Sequence, residues 1–249
     1  MPVEPCRRTL THYAPKLNLP RELADIAISP MQPRFEHSIC YLPARPAANP
    51  FALELAPYAC SPGLPALPHS LARMELLLQG AVVNLGAVAE VVKRDAILAA
   101  QVLRLANHDR DECDRLCRIE ACLAQLDISV LRELVQTTPP LSPCDWRCRA
   151  LLNHSRIAAL AAETIAFQIP ELDPEKAYLA GLLHAFPDLA GLSAEAVSCG
   201  EIDEWPLPAF IWTVIRGFRH PFTVSARENR LCEVVRTACE WTSRINAPA

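Results

Sequence analysis

The spacing of apolar residues along this chain changes once, near Leu64. Before that point prolines recur at Pro2, Pro5, Pro15, Pro20, Pro30, Pro33, Pro43, Pro46, Pro50, Pro57 and Pro62. Each removes a backbone donor and disfavours helix at the residue before it. Residues 1–62 are therefore expected to form a proline-rich, mostly irregular N-terminal arm. A short helix from Arg21 to Ile28 fits between these breaks, and Phe51, Leu53 and Leu55 supply side chains for partial docking.

Beyond Leu64 the apolar positions fall at helical intervals, as in Leu71, Met74, Leu77 and Leu78, then Val88, Val91 and Val92. Asp95 stands before Ala96-Ile97-Leu98, where it can cap a helix running to about Asn107. The charged stretch from His108 to Arg118 is the loop expected after it. Two short helices, Arg118 to Leu126 and Ile128 to Thr137, are predicted to hinge at Asp127, which is placed to cap the second. Pro139, Pro140 and Pro143 then close a first helical half, residues 63–143. The second half, residues 144–249, should hold helices from Trp146 to Gln168, Pro174 to Phe186, Leu207 to Phe218 and Ser225 to Ile245. No alternating strand pattern occurs, so the expected class is all-α.

Composition narrows the functional classes. A chain of 249 residues, 51% of them hydrophobic, can bury one sizeable core. A net charge of -4, with 24 basic residues and no basic block, argues against nucleic acid or an anionic membrane as partner. Pro2, Glu4 and Pro5 interrupt the apolar run that a secretory signal needs, and no later segment suits a bilayer span, so a cytoplasmic protein is expected. The eleven cysteines are irregularly spaced and are expected to stay reduced, without a disulfide framework. Cys113, Cys117, Cys122, Cys144 and Cys148 contain no C-x-x-C pair and read as incidental thiols. No feature pairs a cysteine with an activating histidine. With seven glycines and no G-x-x-x-x-G-K, G-x-G-x-x-G or G-x-S-x-G, the chain lacks nucleotide loops and a hydrolase elbow.

Three histidines carry the candidate chemistry. His154 is in step with Ile157, Ala161 and Ile165 and so faces inward. Ala177, Ala180, Gly181 and His184 share one helix side, and their small residues allow a neighbouring helix to come close enough for the two histidines to meet. His220 follows the Ile211, Val214, Ile215 and Phe218 stripe and precedes Pro221. Imidazoles suit Zn, Fe and Ni, but spacing alone favours buried histidines bonded to carbonyls over ligands.

The order of several blocks is more specific. Asn153-His154-Ser155-Arg156-Ile157-Ala158, followed by Ala180-Gly181-Leu182-Leu183-His184, resembles the two leading motifs of the HD phosphohydrolase superfamily. Leu64-Pro65-Ala66-Leu67-Pro68, Arg94-Asp95-Ala96-Ile97-Leu98, Val102 to Asn107, and Trp205-Pro206-Leu207-Pro208 with the following His220 are similar, in order, to segments of the HDOD domain. The resemblance spans Leu64 to Ile245 and implies an HD-like helical bundle.

Within that resemblance the departures bear on activity. HD enzymes hold metal through a first-helix histidine, a His-Asp pair and a late aspartate, whose carboxylates neutralise the ions. Here the pair reads His184-Ala185, and the late position falls at Ala238-Cys239. The expectation is a vestigial pocket of His154, His184, His220 and Cys239 with no catalytic, cofactor-binding or metal-binding residue assigned. A four-coordinate zinc site built from the same four residues is the alternative. Leu126-Asp127-Ile128 and Phe186-Pro187-Asp188 replace glycine-containing steps and should be locally reshaped, with Pro187 ending its helix. The function implied is a non-catalytic bacterial signal-transduction scaffold acting on protein partners and needing no cofactor. The competing readings are an HD-type metal-dependent phosphohydrolase and a degenerate pocket for a nucleotide-like effector.

Overall fold

A computed structural model describes residues 64–192, 205–219 and 226–245. The arm of residues 1–62, with the expected helix from Arg21 to Ile28, lies outside the described residues, and so does His220. The described elements are α1 (Pro68–Leu78), α2 (Leu85–Val92), α3 (Ala96–Ala106), α4 (Ile119–Gln125), α5 (Ile128–Thr137), α6 (Trp146–Ala166), α7 (Pro174–Leu183), α8 (Phe186–Leu192), α9 (Ala209–Arg219) and α10 (Ala226–Ile245). Among the described residues the only β pairing is an isolated bridge between Ala66 and Pro140. The all-α expectation therefore holds.

That bridge joins the two ends of the first half. The Ala66 amide donates to the Pro139 carbonyl at 3.0 Å, and the Leu141 amide donates to the Ala66 carbonyl at 2.8 Å. Inside this loop closure α1 packs on α2 and α5, while α4 packs on α2 and α3. Asp95 organises the centre. One carboxylate oxygen accepts from the Ile97 and Leu98 amides at 3.0 and 3.3 Å, capping α3, and the other accepts from Leu67 at 2.8 Å. Asn107 closes the far end of α3: its side chain accepts from the Leu116 amide at 2.7 Å and donates to the Leu116 carbonyl at 3.1 Å. The charged 108–118 loop, interrupted by a single 3₁₀ turn at Glu112–Asp114, is thereby pinned to the helix it follows.

The second half is built on α6, which packs along α7 and against α10, with α9 bracing α7 and α10. Asp173 accepts from the Glu175 amide at 3.0 Å, and Pro174 occupies the first turn of α7, where its missing donor costs nothing. The main core joins both halves through residues such as Ile97, Leu103, Leu131, Leu179, Leu182 and Phe186. A smaller cluster of Ala162, Ile165, Ala177, Ala180, Val214, Val235 and Ala238 lies under α10.

Three local expectations are corrected. Asp127 stands at the N-terminus of α5 but makes no capping hydrogen bond. Asp127, which stands in the glycine-containing step, has extended backbone (φ -64°, ψ 147°) that any residue adopts, so no glycine is required there. The helix from Pro174 ends at Leu183 rather than Phe186, and Pro187 does not lead into a loop. It lies in the first turn of α8, a position that needs no amide donor, so proline starts a helix here as well as ending one.

Candidate functional site

Gly181 sets the site geometry. A Cβ at this position would lie 2.8 Å from Ala159 Cα and 3.0 Å from the Ala158 carbonyl oxygen, so the backbones of α6 and α7 touch here. Three residues further on, His184 closes α7 and faces His154 of α6, with ring centroids 5.4 Å apart and planes at 64°. The sequence expectation that these two histidines meet is met. Phe218 of α9 covers the other side of the His184 ring at 5.2 Å.

The third member comes from α10. Cys239 Sγ lies 3.3 Å from His184 Nε2. His184 Nδ1 lies 2.7 Å from the Gly181 carbonyl, which can only accept, so Nδ1 carries the proton and Nε2 presents a lone pair. The thiol of Cys239 then donates to Nε2. Thr242, one turn beyond Cys239, donates its hydroxyl to the Cys239 carbonyl at 2.8 Å, and its oxygen lies 3.2 Å from His154 Nδ1. With the hydroxyl hydrogen engaged, that oxygen accepts from Nδ1–H, and His154 is left with its lone pair on Nε2. One donor atom each from His154, His184 and Cys239 lies within 4.8 Å of the others.

Burial sets the charge state of this trio. It pushes His184 down to about 4, with nearby His154 adding to the shift and the Gly181 bond and Asp188 opposing it. Burial also lowers His154, and it raises the Cys239 thiol to about 12, with the neighbouring charge of Glu240 adding to the effect. At neutral pH the pair is therefore imidazole and thiol, not imidazolium and thiolate. The fold gives Cys239 the histidine neighbour that the family resemblance implied, and burial holds its thiol protonated instead of as the thiolate of a cysteine nucleophile.

Of the four residues expected to share a pocket, His154, His184 and Cys239 are brought together, and His220 lies outside the described residues. Thr242 was missed from sequence, although its i+3 spacing from Cys239 on one helix face was the available signal. An HD-type metal set does not fit these residues. Ala185 is buried at 4% exposure with only a methyl group, and no carboxylate belongs to the donor cluster among the described residues. Among the described residues the other cysteines join no group of three or more metal-ligating side chains; Cys113 and Cys144 are exposed while Cys122 and Cys148 are buried.

A second concavity, unanticipated from sequence, lies where the halves meet. It has a volume of about 450 Å³ and is lined by Glu90, Lys93, Arg94, Arg156, Glu163, Glu175 and Tyr178, together with Ile119, Leu160 and Leu179. Tyr178 donates to the Lys93 carbonyl at 2.8 Å, and Lys93 pairs with Glu120 and Glu175, so much of its charge is internally balanced. No described helix is long and apolar enough to cross a membrane.

The profile of the HDOD domain matches residues 64–205, more than half of the chain, a span that includes His154, His184 and Ala185 but not Cys239. Two crystal structures of the MmoQ response regulator from Methylococcus capsulatus str. Bath share the fold. One, of fragment 20–298, is 17% identical with a TM-score of 0.60, over 75% of this chain and 87% of that one. The other is 18% identical with a TM-score of 0.58, over 76% and 90%. No curated protein matches the chain.

Proposed function

Because the chain belongs to the HDOD domain family, we propose that it is a non-catalytic bacterial signal-transduction or regulatory scaffold module that works by protein–protein interaction. The observation that carries this reading is that, among the described residues, no carboxylate joins the His154–His184–Cys239 cluster. Hydrolysis of the HD type needs carboxylates to neutralise metal ions and to set up a bound hydroxide. A buried alanine methyl and a neutral thiol do neither. The fold shared with a protein described as a response regulator is consistent with a regulatory role.

The test has two arms. The full chain is assayed for hydrolysis of nucleotides and cyclic dinucleotides with added divalent metals, and no turnover is expected. Turnover that disappears in His184→Ala would overturn the reading. In parallel, the full chain and a form lacking residues 1–62 are used as bait in extracts of the native host. A specific protein partner retained by at least one form is expected, and failure of both to retain any partner counts against the scaffold role.

A further inference from the structure

We propose that His154, His184 and Cys239 form a binding site for a thiophilic divalent cation, zinc in the first instance. This goes beyond the scaffold reading and does not depend on it.

Donor geometry supports the site. Zinc with Zn–S near about 2.3 Å and Zn–N near about 2.0 Å in a tetrahedron places sulfur and nitrogen roughly 3.6 Å apart. His184 Nε2 and Cys239 Sγ already stand at 3.3 Å, and the whole donor set lies within 4.8 Å. An ion placed among them requires shifts within side-chain reach, not movement of helices.

Ring orientation is a separate observation. Metal-binding histidines usually give their other ring N–H to a carbonyl or another fixed acceptor, which sets the tautomer and aims the lone pair. Both imidazoles here do so: His184 through Nδ1–H to the Gly181 carbonyl and His154 through Nδ1–H to Thr242. Thr242 is held in turn by the Cys239 carbonyl, so one short chain of hydrogen bonds orients both histidines beside the cysteine backbone.

The donor types then select the ion. Two imidazoles and one sulfur, with no carboxylate oxygen in the cluster among the described residues, disfavour magnesium, calcium and manganese and favour zinc. Binding replaces the Cys239 thiol proton: the S–H bond breaks, a sulfur–metal bond forms, and one proton leaves to solvent. Because the ligands come from α6, the end of α7 and α10, the ion would tie together the three principal helices of the second half.

The experiment uses the full chain, stripped with a chelator and reloaded with cobalt(II) or zinc. Expected are one equivalent of bound cobalt, a thiolate-to-cobalt charge-transfer band with tetrahedral d–d bands, and a zinc-dependent rise in Tm. X-ray absorption of the zinc-loaded wild-type chain should show one sulfur and two imidazoles, a readout that requires no variant. Cys239→Ser, checked by circular dichroism to be as helical as the stripped wild type, should lose both the charge-transfer band and the zinc-dependent Tm rise. Absence of stoichiometric metal, ligation with no sulfur or with two or more, or a band that survives Cys239→Ser would each overturn the proposal.

Discussion

Asp95 and His184 are both withdrawn from water within one helical bundle, but their surroundings treat them in opposite ways. Asp95 is fully buried and accepts from the Leu67, Ile97 and Leu98 amides, with Ser70 adding a hydroxyl. Burial raises its carboxyl above the ordinary carboxylate range, and those donors offset only part of the rise. His184 has one backbone acceptor, an aromatic neighbour and a thiol, and burial keeps it neutral. The chain thus retains a buried carboxylate where it ties an early segment to a helix N-terminus. Among the described residues, no carboxylate joins the His154–His184–Cys239 cluster. The surviving buried acid, Asp95, serves architecture.

The largest expected effect breaks the architectural side of that contrast. Asp95→Ala removes the α3 cap and leaves the Leu67 amide without its acceptor. Loss of a cap costs about 1 kcal/mol and an unsatisfied buried donor a further 1–3 kcal/mol or so, giving a total of about 4 kcal/mol with the other lost bonds. Urea unfolding of the full chain measures this, and a loss below about 1 kcal/mol would show that Asp95 does not organise the first half.

The pocket side is tested by pH in chelator-treated protein. The folded His184 value of about 4 lies below the ordinary 6.5 of the imidazole, so the unfolded chain takes up the proton first on acidification. Its contribution is present in full above 6.5 and is lost as pH falls toward about 4, a total of about 3 kcal/mol. His184→Asn should flatten this acid limb relative to wild type. Equal slopes in the two proteins would mean that another group controls acid stability.

The contrast was unevenly legible in the sequence. The α3 cap was readable because Asp95 and its helix are adjacent, whereas the bond to Leu67 spans 28 residues and leaves no periodic trace. The His154–His184 contact was inferred from the small residues on the α7 face, since close approach of helices depends on local side-chain size. Cys239 was placed only through a loose family match, and its contact with His184 depends on how α10 lies across α6 and α7. Pro187 was read as a stop because proline ends and starts helices by the same missing donor, and only the chain direction after Ala185 distinguishes the two. Asp127 occupied a capping position in sequence, but its side chain makes no capping bond. The mixed-charge cleft draws its lining from α2, α4, α6 and α7, so no single stretch of sequence announces it.

Gly181→Ala comes next in size and tests the packing that creates the pocket. In an open helix this change stabilises by about 1 kcal/mol, because glycine has more chain entropy to lose. Here the new methyl would lie 2.8 Å from Ala159 Cα, against backbone that cannot rotate away. Overpacking costs about 1–3 kcal/mol, so a net loss of about 2 kcal/mol is expected when the helices must separate. Stabilisation instead would show that α6 and α7 are not in backbone contact at this point.

Ser155 provides the smallest test, and its sign is opposite. Its hydroxyl is buried beside His154 in sequence yet has no hydrogen-bond partner among the described residues, the reverse of the fully occupied Asp95 carboxylate. An unmade buried hydrogen bond forfeits hydration without return, and alanine is also the better helix former. Ser155→Ala should therefore raise stability by about 1 kcal/mol, seen as a higher urea midpoint at unchanged slope. A fall of similar size would mean that the hydroxyl holds a bound water. Polar satisfaction would then extend from the Asp95 region into the helix that carries His154, and the contrast between the two regions would narrow to the missing carboxylate alone.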